Sequence, residues 1–370
     1  MAHHAVIGLG FGDEGKGLFT DYLCSRSESP LVIRFSGGQQ AGHTVVANGI
    51  RHVFSNFGSG TLRDAPSYFS PFCTIDPIGI VNELSVLLDK GVKPQLFIDV
   101  NCPVTTPYDV SYNQMNNAHG SCGVGVGATF NREDCYYSLT YGDLFYPWVL
   151  NTKLKLIEGF YKDYSNVSLT RFLDCCDVIT HSEFIHKTSG APQNSYSDYI
   201  FEGSQGLLLD SRYGFFPHVT RGNTGSQNIV KMLGEMPFSC YLITRAYQTR
   251  HGLGPMSNEN LPHNIIENPD ETNQTNAYQG PFRRTLLDVS LLEYAIEKDD
   301  YIARLNKKCL VITCLDHIEY EYRFTYQGNI VHCENENDFV GKIADLLNIP
   351  HIYLSASCDS QNIVSKHLSA

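Results

Sequence analysis

No run of roughly 18 uninterrupted apolar residues occurs in the 370-residue chain, so a membrane-spanning helix is not expected. Basic residues are in deficit. There are 27 Lys and Arg against 39 Asp and Glu, for a formal net charge of -12. That balance argues against a general grip on nucleic-acid backbones or anionic membranes, and neither is expected as a partner. A small anionic ligand stays compatible, because a pocket can be basic on an acidic protein. The 12 cysteines form no C-x-x-C pair and no zinc spacing. Free or buried thiols in a reduced, cytoplasmic protein are the expectation. The opening residues, Met1-Ala2-His3-His4, lack the basic region, apolar core and cleavage site of a secretion signal. Internal repeats and low-complexity segments are absent as well.

What is present is an alternation of two kinds of segment. Seven short β-rich runs end in glycine or polar residues: AVIGLG (5–10), LVIRFS (31–36), QLFIDV (95–100), YIFEGS (199–204), CYLITRA (240–246), CLVITCLD (309–316) and HIYLSAS (351–357). Continuous apolar runs of this length read as strands buried on both faces, with functional loops at their C-terminal ends. Between them, 81–91, 290–298 and 338–348 show helical spacing. The alternation predicts an α/β fold with a mainly parallel, doubly wound sheet, in a single domain over 1–370. Residues 256–279 are polar and poor in structural signals. A loop this long in a compact domain is usually functional or disordered.

Five segments carry chemistry. In VIGLGFGDEGKGLFTDYL (6–23), Gly8, Gly10, Gly12, Gly15 and Gly17 allow close backbone approach, and amides of such a turn suit phosphate. Lys16 adds a point charge. The pattern departs from G-x-x-x-x-G-K-[ST], since Leu18 follows Gly17, and Asp13 sits in the middle of it. A tight turn without a ligand fits these residues equally. RFSGGQQAGHTVV (34–46) places His43 in a glycine-flanked loop, where a plain surface histidine is the simpler reading. The third segment, 201–226, opens with Glu202, Gly203, Gln205 and Gly206, and Gln205 can both donate and accept at a ligand amide. YQTRHGLGPM (247–256) is another strand end with glycines. TCLD (313–316) ends a strand in a carboxylate that can accept from N1–H and the 2-amino group of guanine, although an aspartate closing a strand is common.

In order and spacing these pieces resemble the adenylosuccinate synthetase family. Its motifs G-D-E-G-K-G, G-G-x-x-A-G-H-T, E-G-x-Q-G, x-T-R-x-G-x-G-P and T-K-x-D fall on Gly12–Gly17, Gly37–Thr44, Glu202–Gly206, Thr249–Pro255 and Thr313–Asp316. The likeness runs from about residue 5 to about residue 360. It implies a P-loop-GTPase-like fold, a homodimer, and a ligase in which GTP phosphorylates O6 of inosine monophosphate before the amino group of aspartate displaces the phosphate. It also implies roles. Asp13 is the general base at N1 and a Mg²⁺ ligand, and Gly42 gives a backbone oxygen to the same metal. His43 is the general acid at the transferring phosphoryl group. Lys16 steadies the phosphoryl charge, and Gln205 holds the O6 region. Gly12, Glu14, Gly15, Gly17, Gly42, Thr44, Asp316 and Ser355 fall to GTP. Gln40, Cys122, Thr220, Arg221, Arg250, Arg283 and Arg284 fall to the nucleotide monophosphate and the amino acid.

The chain departs from the family in four places. The arginine-rich amino-acid loop of type T-T-G-R-x-R-R matches TNAYQGPFRRTLLD (275–288), where Arg283 and Arg284 remain but the first arginine falls on Gly280 or Pro281. Residues 256–285 are therefore taken as the substrate loop, with the amine donor open between aspartate and another amine. In the phosphate loop, 120–145, Cys122 replaces a threonine, and Tyr136 replaces the arginine that crosses the dimer interface. Arg132 and Arg221 are candidates to replace that charge. Cys314 stands where the guanine-reading lysine would be, leaving Asp316 to read the base. The chain is also short for the family, so fewer peripheral helices are expected. A related phage branch that aminates deoxyguanylate carries a small residue in place of the first-loop aspartate; Asp13 is intact here, which favours a 6-oxopurine without a 2-amino group.

Overall fold

The computed structural model describes all residues except 1, 117–119, 165, 194–195, 270, 274, 276–277 and 369–370. Its centre is a ten-stranded sheet. From edge to edge the order is Val364–His367, His351–Leu354, Lys308–Thr313, Ser239–Arg245, Ala2–Gly8, Asp198–Gly206, Pro30–Arg34, Ser67–Phe69, Leu96–Asp99 and Ile185–Thr188. All neighbours are parallel except the first pair. All seven runs read as strands in the sequence lie in this sheet. The strands Ser67–Phe69, Ile185–Thr188 and Val364–His367 escaped that reading, since each is short and polar residues interrupt its apolar pattern.

The apolar runs are continuous because both faces are covered. Ile7, Ile33, Phe201, Leu242 and Ile312 point into one core, against the helices Val289–Lys298 and Glu336–Leu347. Their sequence neighbours Val6, Val32, Ile200, Ile243 and Val311 point into the other, against Leu18, Phe19 and Leu23 of the helix Lys16–Cys24. A third cluster, including Phe69, Ile98, Leu84 and Phe172, fills the remaining end. The three helices read from spacing begin and end on recognisable signals. Asp76 accepts from the Ile78 amide at the start of Pro77–Asp89, with Pro77 in the first turn. Asn335 caps Glu336–Leu347, which stops at Asn348 in the left-handed conformation.

Two smaller sheets complete the architecture. Tyr247–His251, Phe282–Asp288, Tyr322–Tyr326 and Asn329–Cys333 form a four-stranded sheet, and His43–Ala47 pairs with Ile50–Phe54 in a hairpin. No helix or strand occurs among the described residues of 256–279, in keeping with the loop read there. Among the described residues no helix is long and apolar enough to cross a membrane.

Candidate active site

The strand Ala2–Gly8 lies at the centre of the sheet, and the loops leaving the C-terminal ends of its neighbours converge beside it. Ligands of doubly wound sheets bind at such ends. The first loop is tightly constrained. Gly12, Asp13 and Gly15 take φ of 93°, 58° and 91°. The left-handed region costs a non-glycine residue about 1 kcal/mol, so Asp13 must be held there. Three strand side chains hold this turn, two of them, Arg245 and Thr313, at strand ends. Thr249 Oγ1 donates to the Gly12 carbonyl at 3.2 Å, Arg245 Nε donates to the Asp13 carbonyl, and Thr313 Oγ1 donates to the Glu14 carbonyl at 2.8 Å. Close approach demands glycine in two further places. A Cβ on Gly206 would lie 2.1 Å from the Gly10 oxygen, and one on Gly17 would lie 2.6 Å from His43 Cβ. The helix Lys16–Cys24 starts from this turn without a side-chain cap, so its first amides face the cleft as donors for an anion.

Glu14 is buried beneath the turn, where it accepts from the Gly10 amide and sits 3.6 Å from Lys16 Nζ. Burial pushes its carboxyl up, and Lys16 and the Gly10 amide pull it back down. Glu14 therefore aims Lys16 as well as bordering the cleft.

His43 is not an open-loop histidine. It is the first residue of the hairpin strand His43–Ala47, only 7% exposed, with Nδ1 2.7 Å from Glu202 Oε1. Glu202 is fully buried and also accepts from the amide and hydroxyl of Ser59. Burial opposes its charge, but His43, Arg34 and Ser59 outweigh burial and hold the carboxyl at about 2. Burial lowers the His43 imidazole more than Glu202 raises it, and Arg34 and Lys16 lower it further. The resting pair is thus a carboxylate with a neutral imidazole whose Nδ1–H donates to it. The other nitrogen, Nε2, is buried without a hydrogen-bond partner in the protein. Glu202 was legible only as part of its motif; its hold on His43 comes from the strand register, which places it in the row of Arg34.

A cleft of about 500 Å³ joins these loops. Asp13, Glu14, Gly15, Lys16, Gly17, Gln40, Gly42, His43, Thr44, Gln205 and Asp316 all line it, from four separate segments. The Gln40 amide is buried with neither atom bonded within the protein, which leaves both for a ligand. Cys314 lines the cleft in the left-handed conformation, φ 57°, next to Asp316 and His317. Arg245, Glu271, Thr272 and Asn273 line it too; sequence reasoning named none of the four, although the last three lie within the expected substrate loop 256–285. Arg245 was hidden inside a strand-like run, and nothing around Glu271 signals a role.

The remaining expected residues stand elsewhere. Gly12 and Ser355 lie just behind the wall; Ser355 is buried, bonding the Ser357 carbonyl at 2.9 Å, while Ser357 and Cys358 reach the cleft. Cys122, Thr220 and the exposed Arg221 do not line it. Arg250 is buried and donates to the carbonyls of Pro255 (2.7 Å) and His218 (2.9 Å); burial, then Arg283, lowers it to about 10. Arg283 bonds Glu259 and the carbonyls of Gly252 and Gly254, and Arg284 lies 3.7 Å from Glu267. Neither borders the cleft. Arg132, a candidate to replace the missing phosphate-loop arginine, is fully buried. It pairs with Asp109 at 2.9 Å and Glu133 at 2.8 Å and donates to the Val104 carbonyl. Its fork is used up inside the protein, so it is a structural residue and not a phosphate ligand. Within the substrate loop 256–285, residues 270, 274, 276 and 277 lie outside the described residues.

Comparison with known proteins agrees with this geometry. The adenylosuccinate synthetase family model matches residues 5–353. The adenylosuccinate synthetase of Borrelia duttonii is 28% identical over 360 residues, covering 89% of this chain and 82% of that protein. That of Vibrio vulnificus is 30% identical, covering 70% of this chain and 64% of that protein. Among solved structures, fully ligated adenylosuccinate synthetase from Plasmodium falciparum matches with a TM-score of 0.75 at 17% identity, covering 98% of this chain and 99% of that one. Succinoaminodeoxyadenylate synthetase of cyanophage S-2L, bound to dGMP and to dATP as an energy donor, gives 0.68 at 15% identity, covering 99% and 95%. With its motif residues gathered around one cleft and its family matched over nearly the whole chain, this protein belongs to the adenylosuccinate synthetases, the GTP-dependent ligases that join inosine monophosphate to aspartate.

Proposed function

We propose that Asp13 and His43 carry the two proton-handling roles of this ligation. A neutral lactam is a poor electrophile at C6. The Asp13 carboxylate takes the N1 proton, O6 attacks the γ-phosphorus of GTP, and GDP leaves. The aspartate amine then attacks C6 and the phosphate departs from it. As negative charge arrives on the phosphoryl oxygens, it favours the protonated imidazole, and Nε2 becomes a donor to them while Glu202 holds Nδ1. Lys16 and the amides of Gly15 and Gly17 face the same charge. The observation that supports this reading is the shared cleft: Asp13 and His43 both line it, and the histidine, anchored through Nδ1 by a buried carboxylate, keeps Nε2 unpartnered.

Mg²⁺ fits the donor set. Asp13 and Gly42 line the same cleft, and a carboxylate and a backbone carbonyl are hard oxygen donors. Among the described residues no three His, Cys, Asp or Glu side chains gather to hold a metal alone, so phosphate oxygens would complete the shell. When bound, the metal offsets the charge of the triphosphate.

Purified protein given inosine monophosphate, GTP, Mg²⁺ and aspartate is expected to show the ultraviolet change of adenylosuccinate, with GTP-dependent phosphate release. Release with another amine and none with aspartate would replace the amine donor and keep the ligase chemistry. One observation favours that second reading: Arg283 and Arg284 already face carboxylates of their own chain.

A further inference from the structure

Arg245 ends a central strand, is 6% exposed, and joins three parts of the site. Its Nε donates to the carbonyl of Asp13. Its Nη1 donates to the Tyr247 hydroxyl at 2.7 Å and to Glu271 Oε2 at 2.9 Å. The opposite oxygen of Glu271 accepts from the amide and side chain of Asn273, at 3.2 and 3.0 Å. Glu271 is only 10% exposed as a side chain, and Arg245 holds its carboxyl below the usual range against the effect of burial. One residue on, Thr272 Oγ1 lies 3.0 Å from Thr44 Oγ1, beside His43. The segment 271–273 is therefore fastened across the cleft at two points, one leading to Asp13 and one to the His43 hairpin.

A guanidinium suits this task. Its planar fork can hold a backbone carbonyl with one nitrogen and a carboxylate with another, in a fixed relation. A lysine offers a single point charge and cannot reproduce that relation. Asp13 has a left-handed backbone, so the direction of its carboxylate depends on what grips its carbonyl.

We infer that Arg245 and Glu271 form a clamp that couples closure of the 271–273 segment over the cleft to the orientation of Asp13. Both are positioning residues. Glu271 holds the segment that covers the bound amine donor, and Arg245 passes its position to the base. The inference rests on Asp13 acting as the base.

The test uses the full chain with Arg245→Lys, Glu271→Gln and the double variant. Steady-state rates are measured with each of the three substrates varied, alongside GTP binding, the thermal midpoint and hydrogen–deuterium exchange. Glu271→Gln is expected to raise KM for the amine about tenfold and to lower kcat about three- to tenfold, because the loosened segment no longer fixes the guanidinium that grips the base. Arg245→Lys is expected to lower kcat by about 10- to 100-fold, with KM for inosine monophosphate within about threefold. The double variant should be no slower than Arg245→Lys, since both changes open one clamp. Amide exchange should rise in 271–273 and also in 10–17 for both variants, a readout that needs no turnover. Exchange rising in 271–273 alone would overturn the coupling. So would kinetic constants within twofold of the parent, or losses that merely track a lower thermal midpoint. Failure of the base assignment shows separately, as turnover retained in an Asp13 variant.

Discussion

Asp13 and His43 lie in segments that leave two strands of the ten-stranded sheet, Ala2–Gly8 and Pro30–Arg34, whereas Arg283 and Arg284 ride on a strand of the four-stranded sheet beside a long polar loop. The first region is buried and cross-braced. Thr249, Arg245 and Thr313 grip consecutive carbonyls of the Asp13 turn, and Glu202 anchors His43 from below. The second is held by the chain's own carboxylates, Glu259 and Glu267, the latter 92% exposed as a side chain. A parallel sheet covered on both faces fixes where its loops begin to within an ångström or so, and catalysis needs that fixity. A loop outside it can be redirected by a few charges. In this chain the reaction centre is therefore fixed in geometry, while the amine side can be redirected.

The largest effect is expected from breaking the rigid side. Asp13→Asn should lower kcat by about 10³-fold, the usual scale for loss of a general base, while GTP titration stays near the parental affinity. Loss of GTP binding in step with kcat would instead make Asp13 a triphosphate and metal ligand first, and not the base.

Glu202→Gln tests the support under His43, and kcat should drop by about 10²-fold. The same change has a stability signature. The folded Glu202 carboxyl sits at about 2, below its ordinary value. Its contribution is thus complete above the usual carboxylate range and is lost as pH falls toward 2. Acid unfolding followed by circular dichroism should be less steep in the variant. An unchanged acid profile would mean the carboxyl is not ionised in the folded protein.

The smallest effect belongs to the flexible side. Glu259→Ala should free Arg283 for an incoming carboxylate, lowering KM for aspartate by about two- to fivefold, in line with the modest strength of a partly exposed ion pair. A rise in KM would show that Glu259 instead holds Arg283 in its working position.

Much of the central sheet was legible because buried parallel strands write continuous apolar runs, and the helices between them write a 3.6-residue period with caps such as Asp76 and Asn335. Short strands broken by polar residues, such as Ile185–Thr188 and Val364–His367, carry too little apolar pattern to be seen, and the four-stranded sheet is assembled from segments far apart in sequence. Glu202 and His43 were each visible in a motif, yet their pairing spans 159 residues and is set by strand order. Arg132 shows the converse. In sequence it is a cation near a phosphate loop, and only burial against Asp109 shows it to be structural.

The sequence by itself determined the chemistry on offer. Asp13 lies among glycines, His43 follows a second glycine loop, and five motifs in order resemble one family, a resemblance that implies the reaction. Tertiary structure decided which of those groups act together and which are spent. The guanidinium of Arg283 is bound by neighbours brought close only by the folded loop, and that of Arg245 by the Asp13 carbonyl and Glu271 across the cleft. The partner of a long, charged side chain is fixed by what folding places within its reach, and sequence spacing does not encode that distance.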